Sequence, residues 1–157
     1  MFDKIKIERF RGIKYASIEG FKQINLFFGK NNCGKSSLLE SIFLASGLSN
    51  PLLPIHVNFM RGYNKSRLHD LKLDFYNLDS TLPIHIRIDN EEKRDLSISL
   101  FEQNLNNVSL NADDTNIISN RDEEKYGLKF EFQVNEKNFE SQLRFEADVT
   151  RVLPKEY

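Results

Sequence analysis

The fold of this chain is decided by one stretch of sequence, Gly29-Lys30-Asn31-Asn32-Cys33-Gly34-Lys35-Ser36. The stretch fits the pattern G-x-x-x-x-G-K-[ST], the phosphate-binding loop called the P-loop or Walker A motif. Its two glycines allow turn conformations that bring successive backbone N–H groups towards an anion. The motif predicts that Lys35 reaches the β- and γ-phosphates of a nucleotide and that the Ser36 hydroxyl binds Mg²⁺.

The sequence on either side has the order that such a loop requires, a buried strand before it and a helix after it. Residues 24–28 (Ile-Asn-Leu-Phe-Phe) are a short, mostly apolar run that is typical of a buried parallel strand. Residues 36–45 carry apolar side chains three and four positions apart, which predicts a helix, and Gly47 provides its C-terminal stop. We therefore expect an α/β fold with a nucleotide bound at residues 29–37. The alternative is a glycine-rich strand–helix turn that binds nothing.

Alternation of apolar and polar residues predicts an antiparallel sheet beside this P-loop core. Residues 4–10 and 14–18 alternate before the loop and predict a hairpin. Four alternating runs follow the helix, at residues 84–88, 96–100, 128–134 and 143–149. Polar turns between these runs, at residues 89–94 and 135–138, predict hairpins with one buried face.

The segments between these patterns are less regular. Prolines and polar residues predict a loop at residues 49–54, whereas residues 55–61 fit either a short helix or extended chain. Ser66 is a candidate cap of a helical turn, and the Asn-, Asp- and Ser-rich residues 103–120 predict a loop with an edge strand. We divide the single lobe, residues 1–157, into a P-loop part (1–48), a connecting segment (49–82) and a part made of antiparallel strands (83–157).

The composition excludes several classes of protein. The chain has 157 residues, of which 22 are basic and 23 acidic, so its net charge of −1 produces no overall field that attracts nucleic acid. A single cysteine excludes an intramolecular disulfide and suits a reducing interior. The sequence has no signal peptide and no apolar run of membrane-spanning length, so we expect a cytoplasmic protein without a membrane partner.

The first quarter of the chain resembles the N-terminal segment of the SMC/RecF/OLD-type ATPases, P-loop ATPases of the ABC superclass that are also grouped as AAA domains. Three features carry the resemblance: Phe10-Arg11 after a first strand, the apolar run at residues 24–28, and G-x-N-x-x-G-K-S before a helix. Asn31 matches the usual asparagine of that loop, whereas Cys33 replaces a small residue, often Ser or Ala. In these proteins an antiparallel sheet flanks the P-loop core of the first lobe.

The resemblance implies that the chain binds ATP and Mg²⁺. The residues implied to bind the phosphates are Gly29, Lys30, Asn31, Asn32, Cys33, Gly34, Lys35, Ser36 and Ser37. Arg11 is implied to be the basic residue that approaches the phosphates, and a solvated turn residue is the equal alternative. Preference for ATP over GTP rests on the resemblance, because the guanine-reading motif Asn-Lys-x-Asp does not occur.

ATP hydrolysis also needs carboxylates that bind magnesium and activate water, usually at the end of an apolar Walker B strand. The nearest run is Leu71-Lys72-Leu73-Asp74, which Lys72 interrupts, so we assign no catalytic residue in this chain. Leu44-Ala45-Ser46-Gly47 resembles a signature segment but is interpreted as the end of the P-loop helix. In the resembled proteins both elements lie in a second lobe. We expect an N-terminal lobe whose partners are a C-terminal ATPase lobe or split chain and, in the complete protein, a nucleotide-dependent second copy.

Other candidate residues carry weaker signals. The three histidines lack the spacing of metal ligands, and Gln133 and Gln142 lie in predicted strands, so neither is assigned as a γ-phosphate sensor. Two basic groups are candidate contacts to DNA phosphates, although interspersed acidic residues favour a solvated face. These groups are Lys4, Lys6, Arg9, Arg11 and Lys14, and Arg61, Lys65 and Arg67.

The resemblance implies a role in DNA repair, recombination or phage defence. One alternative is a self-contained small NTPase or nucleotide kinase. Another is a non-enzymatic interaction module with a vestigial loop.

Overall fold

A computed structural model describes residues 2–47, 50, 52–63, 68–103, 125–146 and 149–154. The elements follow one another in the order β1 (Lys4–Phe10), β2 (Ile13–Glu19), α1 (Lys35–Ser46), α2 (Leu53–Met60), α3 (Leu68–Lys72), a 3₁₀ turn (Tyr76–Leu78), β3 (Ile84–Asp89), β4 (Arg94–Gln103), β5 (Lys125–Val134), β6 (Lys137–Glu146) and β7 (Val149–Pro154). No helix among these residues combines the length and apolar character needed to cross a membrane.

The strands form one seven-stranded antiparallel sheet in the order β2-β1-β3-β4-β5-β6-β7. Most pairs are neighbours in sequence. The pairing of β1 with β3, in which Ile7 lies opposite Ile86, brings together two segments separated by the P-loop and the helices. The loop and helices therefore lie between β2 and β3 in the chain, whereas β3 pairs with β1 in the sheet.

One face of the sheet forms the core. Ile5, Ile7, Ile86 and Ile98 point into this face and are buried, as period-two alternation requires. The first helix packs against β1, β3 and β4, and its Leu44 and Ala45 join the same apolar cluster. On the opposite face Arg87 and Asp95 are directly paired across β3 and β4 and form an ion pair. Helix α1 is thus held on the apolar face of the sheet, and the P-loop precedes it.

The alternating patterns predicted the strands well. The first hairpin, the β3–β4 hairpin and strand β5 are confirmed, with bounds that differ by up to three residues. Strand β6 is confirmed only in part, because it already begins at Lys137, inside the predicted turn at residues 135–138. Strand β7 was not predicted as a separate element, because residues 143–149 were treated as one run. Most of residues 103–120, including the predicted edge strand, and the candidate cap Ser66 lie outside the described residues.

Helix α2 resolves one ambiguity and corrects one prediction. Residues 55–60 are helical, and the helix already begins at Leu53, so the predicted loop at residues 49–54 is wrong at its end. The loop prediction rests partly on the proline at position 54. Proline is tolerated in the first turn of a helix, where its missing N–H would have no intrahelical partner.

The predicted P-loop strand at residues 24–28 is wrong for this structure. None of the described strands pairs with these residues, and Ile24, Leu26 and Phe28 are 81%, 73% and 87% exposed. The side chain of Asn25 accepts a hydrogen bond from the Lys22 N–H and donates one to the Lys22 carbonyl. Such local bonds hold a turn in place of a ladder. A parallel strand needs neighbouring strands to satisfy its backbone, and the described sheet provides none here.

Candidate nucleotide-binding site

The loop ends in a helix whose N-terminus has no side-chain cap. Helix α1 begins at Lys35, and the residue before it, Gly34, has a φ of 89° in the left-handed region. No side chain caps the helix and no acidic residue lies in its first turn. The N–H groups of that turn and the positive end of the helix dipole therefore remain available to an anion.

The start of the loop lies very close to the side chain of Cys33. A Cβ built on Gly29 would lie 2.7 Å from the Sγ atom of Cys33. Asn32, between them, also has a left-handed φ of 62°. The loop is therefore wound tightly enough to turn back on itself, which is the shape that a cradle for phosphate groups requires.

The lysine of the motif lies over this loop. Its Nζ atom donates hydrogen bonds to the carbonyl oxygens of Gly29 (2.9 Å) and Lys30 (2.6 Å) and lies 3.5 Å from the Cys33 Sγ atom. Ser36 is exposed, whereas Ser37 is buried against the core. The donor set fits Mg-nucleotide, since one exposed hydroxyl can complete a magnesium shell made mostly of phosphate and water oxygens. Within the described residues, no group of three His, Cys, Asp or Glu side chains is placed to hold a metal ion by itself.

The side chain of Arg11 is buried, so the interpretation of Arg11 as a solvated turn residue is wrong. Its side chain is 7% exposed. It donates from Nε and Nη2 to Oδ1 of Asp74 (3.0 and 2.8 Å) and from Nη2 to Oδ1 of Asn58 (2.6 Å). Its Nη1 atom forms an ion pair with Oε2 of Glu40 on α1 (2.9 Å). Arg11 thus connects the β1–β2 turn to α1, to α2 and to the segment before the 3₁₀ turn.

Arg61, at the end of α2, adds to the contacts that Arg11 makes. It donates from Nε and Nη2 to the two carboxylate oxygens of Glu40 (2.7 and 2.9 Å). Asn58 also donates to Oδ2 of Asp74 (2.9 Å). Two arginines and two carboxylates balance in charge. Burial raises the pKa of Asp74 to about 6, although Arg11 and Asn58 act in the opposite direction. We call these five residues, Arg11, Glu40, Asn58, Arg61 and Asp74, the polar cluster.

A cleft of about 470 Å³ opens between the loop and the polar cluster. Its described lining residues come from the β1–β2 turn, from the loop and first turn of α1, and from the chain after α2 and α3. They are Arg11, Gly12, Asn32, Cys33, Gly34, Ser37, Arg61, Tyr63, Leu73, Phe75, Asn77 and Leu78. This volume lies in the range of small-molecule sites. Arg11 and the loop residues, which the sequence singled out separately, meet at this cleft.

The other residues considered in the sequence lie elsewhere. Leu71 and Lys72 belong to α3, and the Asp74 carboxylate is occupied by Arg11 and Asn58, so this run is not the end of a strand. Leu44-Ala45-Ser46-Gly47 closes α1 as interpreted. Gln133 lies on β5, and Gln142 lies on β6, where it contacts Glu140 and Arg144.

The basic residues near the hairpin are largely paired with acidic ones. Lys4 pairs with Glu19, and Arg9 with Glu8. Arg11 and Arg61 both belong to the polar cluster, whereas Lys65 and Arg67 lie outside the described residues. This pairing reduces the positive charge that the hairpin can offer to a DNA backbone.

Sequence reasoning missed the polar cluster. Its only sequence signals are a single asparagine inside an apolar helix, Asn58, and an aspartate after an apolar pair, Asp74. In the sequence, Asp74 ends the run nearest to a Walker B strand, and no catalytic role is assigned to it. Nothing in the spacing of Arg11, Glu40 and Asp74 indicates that they meet. Asp74 is brought to Arg11 by the bridge between Phe10 and Phe75 and by the Arg11 N–H, which donates to the Asp74 carbonyl, and Glu40 is brought there by the packing of α1.

Comparison with known proteins identifies a family and several relatives. Residues 4–151 match the AAA domain family. The chain is 33% identical over 108 residues to an ATP/GTP phosphatase of Helicobacter pylori, which covers 64% of this chain and 28% of that protein. It is 31% identical over 116 residues to an uncharacterised protein of Methanocaldococcus jannaschii, 70% of this chain and 52% of the relative. It is 40% identical over 47 residues to the DNA replication and repair protein RecF of Acinetobacter baylyi, 29% of this chain and 13% of RecF.

The chain thus spans between about an eighth and about half of the length of these three relatives. The family match covers almost all of the chain and includes the hairpin, the loop and the first helix. The chain therefore belongs to the AAA domain family, as an N-terminal region of the SMC/RecF type of P-loop ATPase.

Proposed function

We propose that this chain binds Mg-ATP, with the phosphates held by the backbone of residues 29–37. Lys35 neutralises the β- and γ-phosphates, and the Ser36 hydroxyl contributes to the magnesium shell. The observation that carries the proposal is the position of the Lys35 Nζ atom, within hydrogen-bond distance of two loop carbonyls, beside an uncapped helix N-terminus. A nucleotide offers the ammonium group stronger, anionic acceptors than these neutral carbonyls, so the lysine would exchange them for phosphate oxygens.

Arg11 takes a different part in this proposal from the one that the resemblance implies. All of its hydrogen-bonding nitrogens are engaged by Asp74, Asn58 and Glu40. We propose that it acts as a positioning residue, which fixes α1 and the loop relative to α2. Its charge still contributes to the potential in the cleft that it lines.

Hydrolysis is proposed to require a second ATPase lobe, supplied by further chain or by a partner. The exposed apolar residues of 24–28 support this proposal, because a run of this kind fits a strand buried on both faces. A neighbouring parallel strand would satisfy its backbone and would bring carboxylates to the phosphate site. The complete protein is proposed to act as a nucleotide-dependent dimer in DNA repair, as the similarity to RecF suggests. Contact with DNA is assigned to that complete assembly.

The test is a calorimetric titration of the purified chain with Mg-ATP, next to Lys35→Ala and the matched control Lys22→Ala. The Lys22→Ala substitution removes the same charge from a position that precedes the loop. We expect wild type and Lys22→Ala to bind alike and Lys35→Ala to bind about a hundredfold more weakly, as the loss of charged hydrogen bonds predicts. Equal affinities of Lys35→Ala and wild type would contradict the proposal. An unchanged circular dichroism spectrum checks that the variant is folded.

A second function is favoured by the similarity to the ATP/GTP phosphatase of Helicobacter pylori, namely hydrolysis of free nucleotides by a self-sufficient enzyme. The two proposals differ in the turnover of the isolated chain. Steady-state phosphate release from both ATP and GTP that disappears in Lys35→Ala would favour the phosphatase. Binding without release would favour the ATP-binding lobe.

A further inference from the structure

The polar cluster lies directly behind part of the cleft wall. Arg11 and Arg61 line the cleft, and so do Leu73 and Phe75, the two neighbours of Asp74 in the chain. Asp74 itself is 3% exposed, and its Oδ1 atom accepts hydrogen bonds from Arg11 at 3.0 and 2.8 Å. The Asp74 carboxylate is therefore buried one hydrogen bond behind a side chain that lines the cleft.

The phosphate loop lines the same cleft. Asn32, Cys33, Gly34 and Ser37 belong to the proposed phosphate site and share the cleft with Arg11. An anion at the loop therefore lies across a small cleft from the charges of the polar cluster. Buried charges interact more strongly than exposed ones and are screened less by salt, so a change in the charge of the cluster acts on that anion.

Four side chains from three other elements face Asp74. Arg11 comes from the β1–β2 turn, Glu40 from α1, and Asn58 and Arg61 from α2 and its end. Arg11 and Arg61 attract a negative charge at Asp74, Glu40 repels it, and Asn58 donates a hydrogen bond to it. In the protonated form of Asp74, Arg11 still has Glu40 and Asn58 as partners. Protonation therefore changes the charge of the cluster while these contacts remain.

The charges of the cluster cancel only while Asp74 is ionised. Two arginines then balance two carboxylates, whereas a protonated Asp74 leaves one positive charge. On the segment of Asp74 itself, Lys72 pairs with Glu102 at 3.3 Å, and that pair adds no net charge. Burial raises the pKa of Asp74 to about 6, although Arg11 and Asn58 act in the opposite direction. The net charge behind the cleft therefore changes close to neutral pH.

We propose that protonation of Asp74 strengthens the binding of phosphate groups at the loop, so that the polar cluster makes nucleotide binding sensitive to pH. The inference rests on the proposed binding of Mg-ATP at residues 29–37. The uncompensated positive charge of the arginines attracts the phosphates, and by linkage a bound nucleotide favours the protonated form of Asp74. The affinity is therefore highest below the pKa of Asp74 and falls as the pH rises through about 6.

The experiment compares wild type, Asp74→Asn and the matched control Asp95→Asn by calorimetric titration with Mg-ATP. Asp74→Asn keeps the shape of the side chain and fixes the cluster in its positively charged form. Asp95 is also paired with an arginine, Arg87, but on the opposite face of the sheet. Between about pH 5 and about pH 7.5, we expect wild type to lose roughly fivefold more affinity than Asp74→Asn. Asp95→Asn should follow wild type, and the titration of ATP itself is common to all three proteins.

A second measurement uses wild type alone and does not depend on the folding of Asp74→Asn. Sulfate keeps its charge over this pH range and binds at helix N-termini, so it is titrated in two buffers that differ in enthalpy of ionisation. We expect the protein to take up a fraction of a proton for each sulfate bound near pH 6. Parallel pH profiles of wild type and Asp74→Asn, or sulfate binding without proton uptake, would overturn the proton linkage and leave the phosphate site intact. Failure of wild type to bind Mg-ATP at any pH would instead overturn the proposed function itself.

Discussion

The sheet and the run at residues 24–28 contain similar apolar side chains but differ in how far these side chains are buried. Ile7 and Ile86 are directly paired across β1 and β3, and both are buried. Ile24 and Leu26 are exposed and outside any described strand. The difference lies in the partners. Each sheet strand finds an antiparallel neighbour within this chain, whereas the run before the P-loop is suited to parallel neighbours that the described residues do not provide.

The comparison separates what the chain stabilises alone from what it presents for binding. The sheet and α1 form a core that needs no ligand. The loop, the run before it and the cleft are organised by glycines, by left-handed residues and by the polar cluster. Mutations in the sheet and α1, and in the buried polar cluster, should therefore change the stability of the chain, whereas mutations in the loop and in the run before it should change binding.

The largest expected effect comes from truncating matched apolar side chains in the two regions. Ile86→Ala removes a side chain that is 1% exposed and should lower the free energy of unfolding by about 2–5 kcal/mol. Leu26→Ala removes one that is 73% exposed and should change it by less than about 0.5 kcal/mol. Urea denaturation followed by circular dichroism measures both values.

Leu26→Ala should nevertheless weaken association with a C-terminal ATPase lobe, if residues 24–28 become a buried strand in the complete protein. A large loss of stability for Leu26→Ala in the isolated chain would show that the run is already packed in solution. The contrast between the two regions would then be wrong.

The same contrast explains which features the sequence could predict. Alternation identifies an antiparallel strand when its partner strand follows closely in the sequence, as β4 follows β3. The start of α1 was predicted because Gly34 and Lys35 fix it within a few residues. The run at residues 24–28 has the composition of a buried strand, but composition does not say whether a partner is present. The polar cluster is assembled by tertiary packing, so the positions of Asn58 and Asp74 in the sequence do not indicate that these residues contact each other.

The next effect, of at most roughly 3 kcal/mol, is expected from the pH dependence of the polar cluster. The pKa of Asp74 is raised by burial from 3.8 to about 6. Between these values only the folded state keeps the proton, so the contribution of Asp74 to stability is present below about pH 4 and is lost as pH rises through 6. The free energy of unfolding of wild type relative to Asp74→Asn should therefore fall between pH 4 and pH 7.

Asp74→Asn is the appropriate reference because it keeps the shape of the side chain and cannot titrate. Urea denaturation of both proteins at several pH values gives the difference, in which other titrating groups cancel. If the difference rose with pH, attraction by Arg11 would outweigh the cost of burying the Asp74 carboxylate. The cluster would then be held together by its charges above pH 6.

The smallest effect is expected from the addition of a single methyl group to the loop. Gly29→Ala places a Cβ where it would lie 2.7 Å from the Cys33 Sγ atom, so the sulfur atom or the loop must move. Overpacking of this kind costs about 1–3 kcal/mol, and the loop has no apolar core to distribute it. We expect Mg-ATP to bind about tenfold more weakly with the stability of the sheet unchanged, because Gly29 lies outside the region that stabilises the chain.

The cause of that loss can be isolated with a second substitution. Cys33→Ala removes the sulfur atom and leaves space for the new methyl group, so Gly29→Ala/Cys33→Ala should recover most of the affinity lost by Gly29→Ala. Cys33→Ala by itself should bind close to wild type, since the proposed contact of residue 33 with phosphate is through its backbone N–H. Calorimetric titration of the four proteins completes the cycle. Losses that simply add would mean that the glycine is needed for its backbone conformation, and the close winding of the loop around Cys33 would not explain its requirement.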